Sequence, residues 1–360
     1  MTKFKSWLLI TNDYPPCFGG VARYYQGLAT YLPGLTVLTN ISSPLKEPNV
    51  IRRPLFNSWF WPRWLPLLWL VPFYKLVKGA DLLAAGQILP IGTALWLINK
   101  VFGWPYAVVV HGYDLGLAKQ TSRKRWLAKQ VLAQASLVVA NSEFTKSLAV
   151  SLGARPECTQ VIYPCGDLKF DKISQTEIEE FKRHWKVSDS PVILTIARLV
   201  KRKNVAAVIR AVGELQSEFP NLRYLIIGDG PERDDLEKLA KATGAGIEFL
   251  GEVSDNDLML WYKTCDLFVL TPRGDAVDIE GFGIVYLEAQ AAGKAVVASA
   301  VGGVPEAVGS AGRLIKVEAD LVMVLRELLN SPGLRKQLGI SGLERVADQF
   351  NWPVQIKKLS

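Results

Sequence analysis

Short runs of apolar, largely β-branched residues recur along this chain, and a helical pattern separates most of them from the next. In the first half the runs are SWLLITN, LTVLTN, NVIRRP, DLLAAG, YAVVVHG, SLVVANS and CTQVIYP. In the second half they are VILTIA, RYLIIG, IEFLG, LFVLT, AVVASA and RLIKV. Helical patterns cover residues 21–32, 91–101 and 122–133, and later ones start near Asn204, Glu232, Asp255, Gly283 and Pro305. A strand with no polar face must be covered on both sides, which is the state of a parallel sheet between helices. Two such series predict an α/β chain of two Rossmann-like, doubly wound domains. A chain of 360 residues has room for both. The boundary is expected inside PCGDLKFDKISQTEIEE, giving domains 1–168 and 169–345.

The N-terminal MTKFKSWLLITNDYPP reads as a first strand, since its apolar run is short and meets Asp13 and two prolines. Four cysteines form no close C-x-x-C pair, and the only histidines are His111 and His184. Neither a disulfide framework nor a structural zinc site is expected, and a reducing cytoplasm fits. Charge is uneven. Residues 1–168 hold 17 Lys and Arg against 7 Asp and Glu, whereas residues 169–360 hold 25 against 27. Such asymmetry suits either an anionic partner for the first half or a merely solubilising surface.

In doubly wound sheets ligands gather outside the carboxyl ends of the strands, so the loops there carry most weight. Gly19 and Gly20 after the first strand open a helix; they either present free amides to an anion or simply begin a helix. The pattern is not G-x-G-x-x-G and no acid ends the next strand, which disfavours a dinucleotide dehydrogenase. Arg198-Leu-Val-Lys-Arg-Lys203 puts four cations in six residues after VILTIA, either as a solvated run or as a diphosphate clamp. Then comes DIEGFGIVYLEAQ. Glu280 stands in the loop and Glu288 over a turn into the next helix. Carboxylates accept hydrogen bonds from vicinal hydroxyls, yet a solvated loop and a helix surface explain the same two residues. Asp255-Asn-Asp257 is similar to a metal-binding D-x-D, but it begins a helix and is read as N-capping, so no metal is assigned.

Taken together, PP-x-x-GGVARY, HGYD, ANSEFTK, ARLVKRKN, IIGDGPE, EFLGEV, DIEGFGIVYLEAQAAGK and GGVPEAV occur in an order that resembles the retaining, GT-B-fold glycosyltransferases of family 4. The resemblance spans nearly the whole chain and lies nearest to bacterial phosphatidylinositol-mannoside mannosyltransferases. It implies two Rossmann-like domains facing across a cleft, with a terminal segment 346–360 returning to the first. It also implies a hexosyltransferase whose co-substrate is a nucleotide sugar, GDP-mannose in the preferred reading, with no cofactor or metal. Arg198 and Lys203 would bind the diphosphate and Glu288 the ribose. Glu280 would hold the transferred sugar with the amides of Phe282, Gly283 and Ile284. Val253 would line the base, Gly20 would approach the phosphates, and His111 would face the sugar. Many relatives carry a glycine after the lysine where this chain has Asn204.

No acid occurs between Glu47 and Asp81, and this stretch holds Trp59, Trp61, Arg63, Trp64 and Trp69. It is too short in apolar residues to span a bilayer but suits the headgroup region. A second acid-free stretch carries Arg123, Lys124 and Arg125. Together they predict a membrane or lipid-acceptor face and a peripheral position at the inner surface of the membrane; the alternative packs the tryptophans in the core. Other readings remain: a UDP-sugar enzyme acting on a polysaccharide or polyprenyl-linked acceptor, a phosphorylase that needs inorganic phosphate, and a basic nucleic-acid- or sugar-binding protein without catalysis. No recognition helix or RNA-binding motif supports nucleic acid.

Overall fold

A computed structural model describes residues 4–17, 19–40, 47–166, 168, 170–274 and 278–359. These residues form thirteen strands in two sheets. The first sheet contains β1 (Trp7–Thr11), β2 (Leu35–Thr39), β3 (Val50–Arg52), β4 (Leu82–Ala85), β5 (Tyr106–Val110), β6 (Leu137–Ala140) and β7 (Thr159–Val161). The second contains β8 (Val192–Ile196), β9 (Arg223–Ile227), β10 (Gly246–Gly251), β11 (Leu267–Leu270), β12 (Ala295–Ser299) and β13 (Gly312–Ile315). Every expected strand is present. Strand order is β3-β2-β1-β4-β5-β6-β7 in one sheet and β10-β9-β8-β11-β12-β13 in the other, all pairs parallel.

Burial explains the sequence pattern. All five residues of β1 and of β5 are buried, as are all four of β4 and β11, because helices cover both faces. Each order reverses once, between β1 and β4 and between β8 and β11. There the loops leaving neighbouring strands turn to opposite faces and open a crevice.

The chain divides into two compact units: Met1–Cys165 with Ala276–Phe282 and Asn351–Ser360, and Gly166–Asp275 with Gly283–Phe350. The return to the first unit begins at Asn351, not at 346. Helix Pro332–Gln349 and Phe350 still belong to the second unit, with Val346 and Phe350 buried and Arg345 over the Phe350 ring at 4.4 Å. Asn351 then caps helix Trp352–Lys357. Trp352 packs on Tyr24, and the Gln355 side chain accepts from the Tyr163 amide at 3.0 Å. The loop before Gly283 also departs from the expected division. The sequence pattern predicts it wholly in the second domain, whereas Glu280, Gly281 and Phe282 pack with the first unit.

Candidate functional site

In the second unit two loops lock together at the carboxyl ends of β8 and β9. The Ala197 amide donates to Ile227 O, Leu199 to Asp229 O and Glu232 to Leu199 O, at 3.0, 2.9 and 3.1 Å. Gly228 has φ +121°, and a Cβ there would stand 2.0 Å from Ala197 O, so only glycine lets the two loops close. Arg198 sits between these fixed points with its side chain exposed. The single turn Lys201–Lys203 follows and ends at Asn204, left-handed at φ 53° and ψ 37°, a region asparagine tolerates. Lys203 is half-buried. The Asn204 side chain donates to Glu318 at 3.3 Å.

Gly283 begins helix Ile284–Ala291 at φ 92°, and no side chain caps that end. Glu288 lies inside the helix and is only 2 % exposed, which removes the helix-surface reading. The Tyr262 hydroxyl donates to its Oε2 at 2.7 Å. A carboxylate this deep requires such a donor, since burial without one is costly. Val253 is half-buried on the loop after β10. The next helix, Asp255–Thr264, is capped by Ser254, whose hydroxyl accepts from the Asp257 amide at 3.1 Å and donates to its carboxylate at 2.9 Å. The cap is therefore Ser254 rather than the D-x-D residues, and Asp255 and Asp257 form the first turn.

The first unit holds the second cluster. Gly281 lies over the end of β5: its Cβ, were there one, would stand 2.0 Å from His111 O. The buried Ser142 hydroxyl, just after β6, donates to Gly281 O at 2.7 Å. Phe282 is buried, its ring 5.5 Å from that of Tyr163. These contacts bring Glu280, Gly281 and Phe282 beside His111. Glu280 is half-buried there, whereas Gly20 is exposed at the start of helix Gly20–Tyr31.

His111 is held from several sides. Its ring stands edge-on to Tyr24 and Tyr25, at 5.2 and 5.3 Å between centroids. Its amide donates to Asp114 Oδ1 at 3.0 Å. Nε2 lies 2.8 Å from the Tyr25 hydroxyl, which itself donates to Gly86 O. Tyr25 has one proton and Gly86 O can only accept, so the imidazole donates from Nε2 and Nδ1 is its acceptor pole. Burial lowers the His111 pKa to about 4, so the ring is neutral near pH 7. Burial raises Asp114 to about 6, against the hydrogen bonds that stabilise its anion, the His111 amide foremost.

On the same unit, Trp59 and Trp61 are 93 % and 83 % exposed, and Trp69, Phe73 and Leu76 of helix Leu67–Lys78 also face outward. Arg63, Arg123, Lys124 and Arg125 are exposed. Trp126, on the helix of the latter three, is exposed and meets Trp96 edge-on at 6.2 Å. Trp64 departs from the expected face: it is half-buried and packs on the buried core of the first unit.

Residues 176–345 match the family model for Glycosyl transferases group 1, and residues 18–170 match that for Glycosyltransferase Family 4. The chain belongs to these glycosyltransferases. It is thus an enzyme, a hexosyltransferase. A GDP-mannose-dependent monoacylated alpha-(1-6)-phosphatidylinositol monomannoside mannosyltransferase of Corynebacterium glutamicum is 25% identical over 100% of this chain and 98% of its own length. A D-inositol 3-phosphate glycosyltransferase of Streptomyces bingchenggensis is 32% identical over 62% of this chain and 51% of its own. Among solved structures, Anabaena HepE in complex with UDP-glucose superposes with a TM-score of 0.82 at 21% identity, covering 98% of each chain. The fold is GT-B.

In this glycosyltransferase the sequence motifs located both clusters, but not the groups that hold them. Tyr25 directly follows the GGVARY run, while Ser142 lies inside ANSEFTK and Asp114 inside HGYD, none with a role legible in the motif. Tyr262 and Glu318 lie in no motif; nothing local marks them.

Proposed function

We propose that the enzyme transfers mannose from GDP-mannose, with retention, to a hydroxyl of a lipid or glycolipid at a membrane surface. The observation that carries the donor and acceptor classes is the end-to-end match to relatives named for GDP-mannose and phosphatidylinositol mannosides, such as those of Corynebacterium glutamicum and Mycolicibacterium smegmatis. In this reading Arg198 and Lys203 neutralise the diphosphate, Glu288 accepts from the ribose hydroxyls, and Glu280 with the amides of Phe282, Gly283 and Ile284 grips the sugar. Val253 lines the base and Gly20 approaches the phosphates. The Nδ1 acceptor pole of His111 suits a sugar hydroxyl. The bond from the anomeric carbon to the diphosphate breaks while the acceptor oxygen bonds on the same face, and the departing phosphate oxygen takes the acceptor's proton. Fixed cations and helix-start amides stabilise the growing charge, each well-placed donor contributing roughly 3–4 kcal/mol. Neither metal nor cofactor enters, so activity should survive excess chelator.

The basic aromatic face would seat the enzyme peripherally on the cytoplasmic leaflet. Among the described residues no helix is long and apolar enough to cross a membrane. Its exposed tryptophans and cations supply the apolar and electrostatic contributions that reversible attachment to anionic lipid requires.

A UDP-sugar donor is the second reading, favoured by the fold shared with the UDP-glucose complex of HepE. A thermal-shift panel of GDP, UDP and ADP separates them. A ligand at ~100 times its Kd stabilises by about 2.7 kcal/mol. Stabilisation by GDP is expected; a clear preference for UDP would overturn the mannose assignment.

A further inference from the structure

Glu318 follows β13 and lies in none of the sequence motifs. It nevertheless accepts from three separate elements. Arg273 Nη2, on the loop after β11, reaches Oε2 at 2.5 Å. Arg210 Nη2, on helix Val205–Leu215, reaches Oε1 at 3.0 Å. The Asn204 amide, at the end of the cationic turn, reaches Oε2 at 3.3 Å. The Arg273 backbone amide also donates to Arg202 O at 2.7 Å, so the loops leaving β8 and β11 are tied twice. These are the two loops that part at the strand-order reversal of the second sheet.

The arrangement resolves a conflict. Arg198, Lys201, Arg202, Lys203, Arg210 and Arg273 crowd like charges at one end of the sheet. An acid within the group offsets part of that repulsion. Glu318 does so from the far end: its partners are Asn204, Arg210 and Arg273, not Arg198 or Lys203. Three donors on one carboxylate make a network, which holds geometry better than an isolated surface pair. Partial burial alone would raise the carboxyl's pKa, but the hydrogen bonds from Arg273, Arg210 and Asn204 outweigh it and hold the group at about 2. It is a full anion at working pH.

We propose that Glu318 is a positioning residue of the donor site, fixing the Arg198–Lys203 turn and the loop after β11 in the shape that receives the diphosphate. The proposal rests on the reading of Arg198 and Lys203 as diphosphate ligands. It has a sign that a purely electrostatic role lacks. Removing an acid from a cationic cluster strengthens its field for anions, so a group that only tuned charge would weaken binding by its presence. A group that positions the turn does the opposite.

The test uses the full-length enzyme with Glu318→Gln, Glu318→Ala, Arg198→Ala and a control, Glu218→Gln. Glu218 makes a bidentate pair with Arg326 in the same unit at similar exposure, away from these loops. Calorimetry gives the Kd of GDP or UDP, whichever the native enzyme binds, and of the matching nucleoside. Both Glu318 variants should bind the diphosphate about tenfold more weakly, the scale of a sub-ångström displacement of binding groups. Nucleoside affinity should be unchanged, and donor KM should rise more than kcat falls. Glu218→Gln should match native affinity within about twofold while losing comparable thermal stability. Native or tighter diphosphate binding by Glu318→Gln, with Arg198→Ala still weakened, would overturn the proposal alone. Native affinity in Arg198→Ala would overturn the diphosphate reading and the proposal with it.

Discussion

Gly281→Ala is the sharpest single perturbation of the site. The added Cβ would stand 2.0 Å from His111 O and 3.0 Å from His111 C, where ordinary contacts begin at 3.4 Å. Both atoms are backbone, so no rotamer relieves the clash, and the loop must withdraw from the end of β5 by about an ångström. Overpacking of that kind costs about 1–3 kcal/mol. Withdrawal also breaks the 2.7 Å bond from the buried Ser142 hydroxyl to Gly281 O, at about 1–3 kcal/mol for the groups left unpaired. The sum, about 2–6 kcal/mol, is within reach of total stability for many domains, so denaturant midpoints must accompany kinetics. A displacement of about 1 Å beside Glu280 should lower kcat roughly 10²-fold. Gly333→Ala provides the contrast: its Cβ would meet nothing within 4 Å at the start of helix Pro332–Gln349, and it should stabilise by about 0.4–1 kcal/mol with native activity. Transfer assays on both variants decide the matter. Native kcat/KM within threefold for Gly281→Ala would refute the argument that this contact shapes the site.

Arg198→Ala and Lys203→Ala should each slow transfer by about 10²–10³; a change within threefold for both would remove them from the mechanism. Tyr262→Phe takes the hydroxyl donor from Glu288, so urea denaturation should show a loss of about 1–3 kcal/mol and nucleotide Kd should rise; an unchanged midpoint would mean the carboxylate is satisfied without Tyr262. For His111, the folded pKa near 4 lies below its ordinary 6.5, so its contribution to stability rises with pH between those values and is complete above them. For Asp114, the folded pKa near 6 lies above its ordinary 3.8, so its contribution falls as pH rises through that window. The two offset across about pH 4–6 in the native enzyme, and His111→Gln should expose the Asp114 slope, up to about 1–3 kcal/mol less stable at pH 6.5 than at 4.5. A flat profile in the variant would contradict it. Trp59→Ser with Trp61→Ser should abolish sedimentation with anionic liposomes at low salt while leaving the melting temperature unchanged, because both rings are exposed; native sedimentation would defeat the membrane face.

The sequence by itself determined the strands, because a strand covered on both faces needs apolar residues at every position, and that is a local pattern. SWLLITN, YAVVVHG and LFVLT carry it without reference to the rest of the chain. It also marked Arg198, Lys203, Glu280 and Glu288, since loops at the carboxyl ends of parallel strands are where charged and glycine-rich stretches stand out. Tertiary structure alone decided what those residues lean on. Tyr262 reaches Glu288 across 26 residues, Tyr25 reaches His111 across 86, Asn204 reaches Glu318 across 114 and Ser142 reaches Gly281 across 139. Such pairings depend on which strands become neighbours and on where a helix end halts, and no window of sequence contains both partners. The same holds for Trp64, which packs on the core while Trp59, Trp61 and Trp69 are exposed. Hydropathy is identical for these four tryptophans, so only tertiary packing distinguishes the one turned inward.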